Sequence, residues 1–210
     1  MEKLQELAQV VSAGKAKLVG GLVTEALDAG VPAIDVLNTM IDAMGVVGER
    51  FKNGEIFVPE MMVAARAMKK GVEVLKPHLT DDSASDAGKL IIGTVAGDLH
   101  DIGKNLVSMM IESTGFEIID LGVDVPAERF VEAVREHPDV KVVALSALLT
   151  TTMPAMQEAV ALLNAQDFRS RIKIMVGGAP ITQEFADEIG ADAYTTDAAS
   201  AAQKAKELAS

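Results

Sequence analysis

The sequence contains no cysteine and no tryptophan, and only one of its 210 residues is a tyrosine. The absence of cysteine excludes disulfides, thiolate metal sites, cysteine-ligated iron–sulfur clusters and cysteine nucleophiles. Aromatic residues make up 3% of the chain and hydrophobic residues 49%, so we expect an aliphatic core. The 11 methionines are expected mainly to fill gaps in that core.

Positive charge is also scarce, since 19 Lys and Arg stand against 31 Asp and Glu, which gives a formal net charge of −12. Such a chain repels phosphate backbones and anionic lipids, and we therefore expect neither nucleic acid nor a membrane as a partner. No apolar run reaches the roughly 18 residues that a membrane-spanning helix needs. The first residues also lack the charged-then-apolar pattern of a signal peptide, so we expect a cytoplasmic protein.

The first 80 residues repeat their apolar side chains with the period of an α-helix. Spacings of three and four residues, as between Leu4, Leu7 and Val11, predict the first helix. Similar stripes predict three more helices, and Pro32 marks the start of the third. Residues 1–80 are therefore predicted to form a small four-helix bundle.

The character of the sequence changes after this bundle. Residues 81–88 are small, polar and acidic, which predicts an exposed linker. In residues 89–210 short apolar runs alternate with helical stretches. Runs that are apolar on both faces and separated by helices indicate a parallel sheet covered on both sides. We predict an α/β fold: the bundle is followed by a doubly wound, five-stranded parallel sheet of the flavodoxin-like or Rossmann-like kind. The five runs are residues 90–95, 116–121, 140–145, 172–176 and 191–194.

Polar or glycine-containing segments follow the first, third and fourth predicted strands, at the sheet edge where ligands bind. The first segment contains Asp98 and His100. An imidazole nitrogen is a good ligand for a transition metal, and a carboxylate two residues away can accept the other ring N–H and fix the tautomer. Gly103 would let the backbone pass close to a bulky ligand. An Asp-x-His pair alone is more often an ordinary loop hydrogen bond, so this pair does not decide the function.

Three separated elements match one known pattern in order and in spacing. They are Asp98-x-His100-x-x-Gly103, Ser146-x-Leu148 and Gly177-Gly178. Together they resemble the signature of corrinoid (cobalamin)-binding modules, found in cobalamin-dependent methionine synthase, in the base-off mutases and in the corrinoid proteins of methyltransferase systems in methanogens and acetogens. The helical half, including residues 48–60, resembles the helical cap of the methyl-carrying members. The small, free-standing corrinoid proteins are the best-matching class, and the resemblance covers nearly the whole chain.

The resemblance implies a role for each matched position. His100 would be the lower axial ligand of cobalt in place of the cofactor's own benzimidazole (the base-off, His-on state), and Asp98 would bind its distal ring nitrogen. Thr152 lies where methionine synthase has a serine that extends this relay, so a hydroxyl is kept although the residue differs. The displaced nucleotide tail would thread into the sheet domain. The further cofactor-binding residues implied are Asp101, Ile102, Gly103, Ser146, Leu148, Thr150, Gly177 and Gly178.

The resemblance also implies a methyl carrier and not an enzyme by itself. A substrate-specific methyltransferase, acting on a methylamine, methanol, a methoxylated aromatic compound or a betaine, would load a methyl group onto cobalt. A methylcorrinoid:tetrahydrofolate or coenzyme M methyltransferase would remove it, and a reductive activase is a further expected partner. No catalytic acid–base set is evident beyond the relay of Asp98 and Thr152. In the cap, Phe57, Met61 and Met62 are candidates to shield the upper face of the cofactor, with packing in the bundle core as the alternative.

Three other interpretations stay open. A corrinoid-dependent sensor would use the same two modules, although a DNA-binding regulator should carry a basic helix-turn-helix. A mutase would need a substrate barrel that 210 residues cannot hold beside this module, which leaves only a detached subunit. A response-regulator-like protein would need a phosphoacceptor aspartate after the third strand, where Ser146 stands. The methyl donor, the acceptor, the lower base of the corrinoid and the oligomeric state are not determined by the sequence.

Overall fold

The structure is a computed structural model and describes residues 2–79 and 88–210. The described residues divide into two compact units, one formed by 2–79 with 113–115 and the other by 88–112 with 116–210. The predicted linker, 81–88, lies outside the described residues except for Gly88. None of the described helices combines the length and the apolar character needed to span a bilayer.

Within its described residues, the first unit contains the four helices that the sequence predicts. They are α1 (Glu2–Ser12), α2 (Ala16–Asp28), α3 (Ala33–Lys52) and α4 (Val58–Leu75), and a short 3₁₀ turn (Lys76–His78) follows α4. Helix α3 starts directly after Pro32, and Pro59 lies in the first turn of α4, where a missing N–H costs no intrahelical bond. The core side chains are aliphatic and rich in methionine, as the composition predicts. They include Leu7, Met40, Met44 and Met68, all essentially without exposed surface.

The second unit is a five-stranded parallel sheet with helices on its crossovers, which confirms the predicted fold class. Strands β1, β3 and β4 are buried along most of their length because both faces are covered, and this explains their continuous apolar runs. The strands are β1 (Lys89–Thr94), β2 (Glu117–Asp120), β3 (Val140–Ser146), β4 (Lys173–Gly177) and β5 (Ala193–Tyr194). The helices are α5 (Ile102–Glu112), α6 (Ala127–Glu136), α7 (Met153–Asn164), α8 (Gln183–Ile189) and α9 (Ala198–Ala209).

The strand order is β2-β1-β3-β4-β5, so the direction of winding reverses between β1 and β3. In the sheet register Thr94 lies opposite Ser146, and Ser146 lies opposite Gly177. The three predicted loops therefore start side by side at the carboxyl edge of the sheet. Sheets of this kind bind ligands at the crevice where the winding reverses, and this places the candidate site between the loops after β1 and β3.

Candidate functional site

The carboxylate of Asp98 joins the loop after β1 to the loop after β3. Its Oδ2 atom accepts hydrogen bonds from the backbone N–H of Leu148 (2.7 Å) and of Leu149 (3.3 Å) and from the hydroxyl of Thr152 (2.8 Å). Its Oδ1 atom accepts from the backbone N–H of His100 (3.1 Å) and lies 2.7 Å from Nδ1 of the His100 ring. One buried side chain thus bridges the crevice between β1 and β3 and holds the histidine.

These hydrogen bonds determine the charge of Asp98. Burial would raise the pKa of this carboxyl, but the hydrogen bonds from Leu148, His100 and Thr152 favour the ionised form and outweigh it, so the pKa lies well below its ordinary value. Asp98 is therefore a carboxylate at neutral pH and can only accept hydrogen bonds. The Thr152 hydroxyl, which also lies 2.9 Å from the carbonyl of Leu149, has a single proton, and the stronger bond is to the anion.

The ring of His100 is held so that one nitrogen remains free to bind a ligand. Because Asp98 is ionised, the proton of the neutral imidazole lies on Nδ1, and Nε2 keeps its lone pair. The side chain of His100 is 50% exposed, while that of Asp98 is fully buried. The buried hydroxyl of Thr94 donates to the backbone carbonyl of His100 at 2.9 Å and fixes the loop from below. The arrangement presents a single, oriented nitrogen donor at the surface of this unit.

The residues that flank this donor are apolar and exposed. Leu99 is 71% and Ile102 is 85% exposed in the loop after β1, and Leu148 (43%) and Leu149 (39%) are exposed in the loop after β3. Among the described residues of the sheet unit, these four are the large hydrophobic side chains with high exposure. Exposed apolar side chains grouped around one polar group are typical of a binding site for a large, largely apolar ligand.

Such a surrounding fits a metal held by a macrocycle. No group of three or more His, Asp or Glu side chains with metal-binding geometry occurs among the described residues. In this part of the chain, a metal at His100 would not find a set of three such side-chain ligands. A macrocyclic cofactor would supply further ligands to its metal, and His100 is the residue that would hold that metal. Gly103 has open space beside it, because a Cβ added there would meet no atom within 4 Å.

The structure brings the predicted tail-binding residues of β3 and β4 together. Ser146 and Gly177 are register partners at the ends of adjacent strands. Gly178, however, has a packing reason of its own: its φ is +134°, and an added Cβ would lie 1.8 Å from the carbonyl oxygen of Ala147. The Gly177 site is more open, since an added Cβ would make only ordinary contact, 3.5 Å from the carbonyl oxygen of Thr195.

The other predicted cofactor-binding residues lie at the rim of the site. Asp101 is exposed, and its Oδ2 accepts from the side-chain amide of Asn105 at 3.1 Å. Thr150 is exposed at the start of a 3₁₀ turn, Thr150–Thr152, whose last residue is the buried partner of Asp98. The turn thus carries Thr152 inward and leaves Thr150 facing solvent.

The three candidates of the helical unit differ in exposure. Phe57 is 68% exposed and Met62 is 37% exposed, so both present apolar surface. Met61 is 0% exposed and belongs to the core, because it lies on the buried face of α4 together with Ala65 and Met68. Met61 therefore has no free surface with which to meet a ligand, and the core alternative describes it better.

The loop after β2 also reaches the site, and the sequence-based prediction missed it. Asp124 Oδ1 accepts from the backbone N–H of Gly97 at 2.7 Å, and the backbone N–H of Asp124 donates to the carbonyl of Asp98 at 3.0 Å. The signal in the sequence was Asp120-x-Gly122-x-Asp124 directly after an apolar run. Because β2 is the neighbour of β1, its loop adjoins the loop of His100.

Family models for a B12 binding domain match both units of the chain. One model matches residues 88–203 and a second matches residues 3–76. The matched ranges hold the site described above and the four-helix bundle, respectively.

Similar proteins and structures cover almost the full length of the chain. A dimethylamine corrinoid protein of Methanosarcina acetivorans is 44% identical over 208 residues, which are 99% of this chain and 97% of that protein. The crystal structure of a cobalamin-binding protein from Desulfitobacterium hafniense has a TM-score of 0.83 at 32% identity and 98% coverage of both chains. The methanol:cobalamin methyltransferase complex of Methanosarcina barkeri contains a chain with a TM-score of 0.84 at 31% identity, covering 99% of this chain and 80% of that chain.

Proposed function

The chain belongs to the B12-binding corrinoid protein family, and from this membership and the geometry of its site we propose that it carries a methyl group between two methyltransferases. The single observation that supports this proposal best is the oriented imidazole of His100. It is half-exposed, bound through Nδ1 to the buried carboxylate of Asp98, and flanked by exposed apolar side chains. We infer that Nε2 is the lower axial ligand of cobalt in a base-off, His-on corrinoid.

The corrinoid, when bound, supplies the cobalt that accepts and releases the methyl group. The residues of the chain hold and tune it. Asp98 orients the ring of His100 and holds the ring proton on Nδ1, so that Nε2 can donate its lone pair.

We further propose that Ser146, Leu148 and Gly177 line the slot for the nucleotide tail, and that Gly103 permits its passage below the ring. Two observations support this. Ser146 and Gly177 are adjacent in register, and added Cβ atoms at Gly103 and Gly177 would meet either open space or ordinary contacts. In the helical unit, Phe57 and Met62 are our candidates for the cover of the upper face.

For the methyl donor, we propose a methylamine. Relatives whose names specify dimethylamine are 42–44% identical over almost the whole chain, whereas the methanol-system chain is 31% identical. The partners would then be a methylamine-specific methyltransferase, a methylcorrinoid methyltransferase for the acceptor (tetrahydrofolate or coenzyme M) and a reductive activase. A cytoplasmic location stays a prediction.

The carrier role predicts that a methyl group loaded on the holoprotein is exchanged with partner enzymes. The protein is reconstituted with a cobamide, loaded with a ¹³C-methyl group, and mixed in turn with methylcorrinoid:coenzyme M and methylcorrinoid:tetrahydrofolate methyltransferases. We expect label to appear in one of the two acceptors at near one equivalent per protein. Loading in the reverse direction is then tested with mono-, di- and trimethylamine methyltransferases and with the methanol enzyme.

Asp187→Asn, which removes an exposed carboxylate on α8, is the control for loss of a surface charge and should behave like the wild type. Failure of the loaded holoprotein to pass its label to either acceptor would contradict the carrier role. That outcome, together with retained cobamide binding, would favour the sensor interpretation. Loading by the methanol enzyme alone would contradict the choice of a methylamine.

A further inference from the structure

Asp124 has a backbone conformation that few residues adopt. Its φ is +53°, and within residues 2–79 and 88–210 it is the non-glycine residue with a positive φ. For residues with a Cβ the left-handed region is unfavourable in conformational free energy, although Asp and Asn tolerate it better than others. A glycine at this position would adopt the conformation without strain. We therefore expect the aspartate side chain to make an interaction that offsets the strain.

The strain aims two groups of Asp124 at the loop that carries His100. Asp124 Oδ1 accepts from Gly97 N–H at 2.7 Å, and Asp124 N–H donates to the carbonyl of Asp98 at 3.0 Å. Gly97 itself turns with a φ of +80°. The two bonds hold the residues on either side of the Gly97–Asp98 peptide. Asp124 thereby restrains the backbone from which the Asp98 carboxylate projects into the crevice.

The end of β2 holds the far side of His100 through Asp120, the last residue of that strand. The fully buried ammonium of Lys104 donates to Asp120 Oδ2 at 2.6 Å and to the side-chain oxygen of Asn105 at 2.8 Å. Asn105 in turn donates to Asp101 Oδ2 at 3.1 Å. The end of α5 next to His100 is thus tied to the end of β2. Asp124 adds a restraint on the backbone of Asp98, whose carboxylate is held by the loop after β3.

We propose that Asp124 is a positioning residue for the axial histidine: its carboxylate, through Gly97 and Asp98, holds His100 in the orientation that ligates cobalt. This inference rests on the proposed function for its consequence at the metal. It does not depend on that function for its consequence on the ring of His100 in the cofactor-free protein. The two can therefore be tested separately.

Two substitutions separate the carboxylate from the backbone conformation. Asp124→Asn keeps an oxygen acceptor and tolerance of a positive φ, whereas Asp124→Gly keeps the backbone conformation and loses the acceptor. Val123→Gly, in the same loop, adds the same glycine flexibility without removing a carboxylate and is the matched control. Nitrogen NMR of the histidine rings in the cofactor-free protein reports the tautomer of His100, and only three histidines need assignment.

We expect Asp124→Gly to convert the fixed Nδ1–H tautomer of His100 into a mixture and to weaken the His-ligated cobamide complex roughly tenfold. Asp124→Asn should restore both readouts, and Val123→Gly should change neither. Ring signals and ligation in Asp124→Gly equal to those of the wild type would overturn the inference, as would identical losses in Val123→Gly. If the wild type failed to ligate cobamide through His100, the proposed function would fail, and the ring signals would still decide on Asp124.

Discussion

Asp98→Asn is expected to leave the protein folded and to weaken ligation of cobalt by His100 by about 10- to 100-fold. The amide oxygen would face the three donors of the loop after β3, namely Leu148, Leu149 and Thr152, because these donors need an acceptor. The amide NH₂ would then face His100 and donate to Nδ1. The ring proton moves to Nε2, and the atom that should bind cobalt loses its lone pair.

The measurement is a titration of the cofactor-free protein with cobamide, followed by the visible spectrum of the ligated and unligated forms. Denaturant unfolding of the same samples shows whether the variant is folded. Asp187→Asn again serves as the control for loss of a carboxylate. An Asp98→Asn protein that ligates cobalt and cycles between states like the wild type would contradict the proposed role of the Asp98–His100 pair.

Gly178→Ala is expected to destabilise the sheet unit by roughly 2 to 6 kcal/mol, because strain and overpacking add. A φ of +134° is accessible almost only to glycine, and the new Cβ would lie 1.8 Å from the carbonyl oxygen of Ala147. Relief requires the loops after β3 and β4 to separate, which breaks the bond from Ala147 N–H to Gly177 O (3.2 Å). Denaturant unfolding of the cofactor-free protein measures the loss.

Gly177→Ala is the matched substitution one residue earlier. Its Cβ would meet only ordinary contact, so we expect the free energy of unfolding to change by less than about 1 kcal/mol. If the nucleotide tail passes over Gly177, the same change should weaken binding of a complete cobamide about tenfold or more, and leave cobinamide, which lacks the tail, unaffected. Equal stability of Gly178→Ala and wild type would show that the two loops do not depend on this glycine, and equal losses for both corrinoids in Gly177→Ala would place the tail elsewhere.

The fold could be predicted from the sequence because the apolar residues follow one spacing in the first half of the chain and another in the second half. Helices α1 to α4 are buried on one side, which gives each an apolar stripe at helical spacing. Strands β1, β3 and β4 are buried on both faces, which gives each a continuous apolar run. The ends of the elements were less accurate: β5 consists of only two residues, Ala193–Tyr194, since a short edge strand has little burial to leave a pattern.

From the residues alone, the contacts of the site were predictable only where one short motif contains both partners. The bond from Thr152 to Asp98, which spans 54 positions, was expected only from the family resemblance. Asp98 and His100 are two residues apart, and their bond follows from the spacing. Leu149 binds Asp98 through its backbone N–H, which any residue provides, so its side chain gives no signal. Asp124 contacts Gly97 across 27 positions, and this pairing depends on the strand order, which the sequence does not state. For Met61 the sequence left a role in covering the cofactor and packing in the core open, and the side chain is buried on its helix.

The identity of the lower axial ligand is the central claim, and isotopic labelling of histidine tests it most directly. The wild-type protein is produced with natural histidine and with nitrogen-15 histidine, reconstituted with unlabelled cobamide and reduced to cobalt(II), and its electron paramagnetic resonance spectrum is recorded. If Nε2 of His100 ligates cobalt, the nitrogen splitting of each cobalt line is a triplet in the unlabelled protein and a doublet in the labelled one. A triplet that persists in the labelled protein, or the absence of nitrogen splitting in both, would contradict the claim.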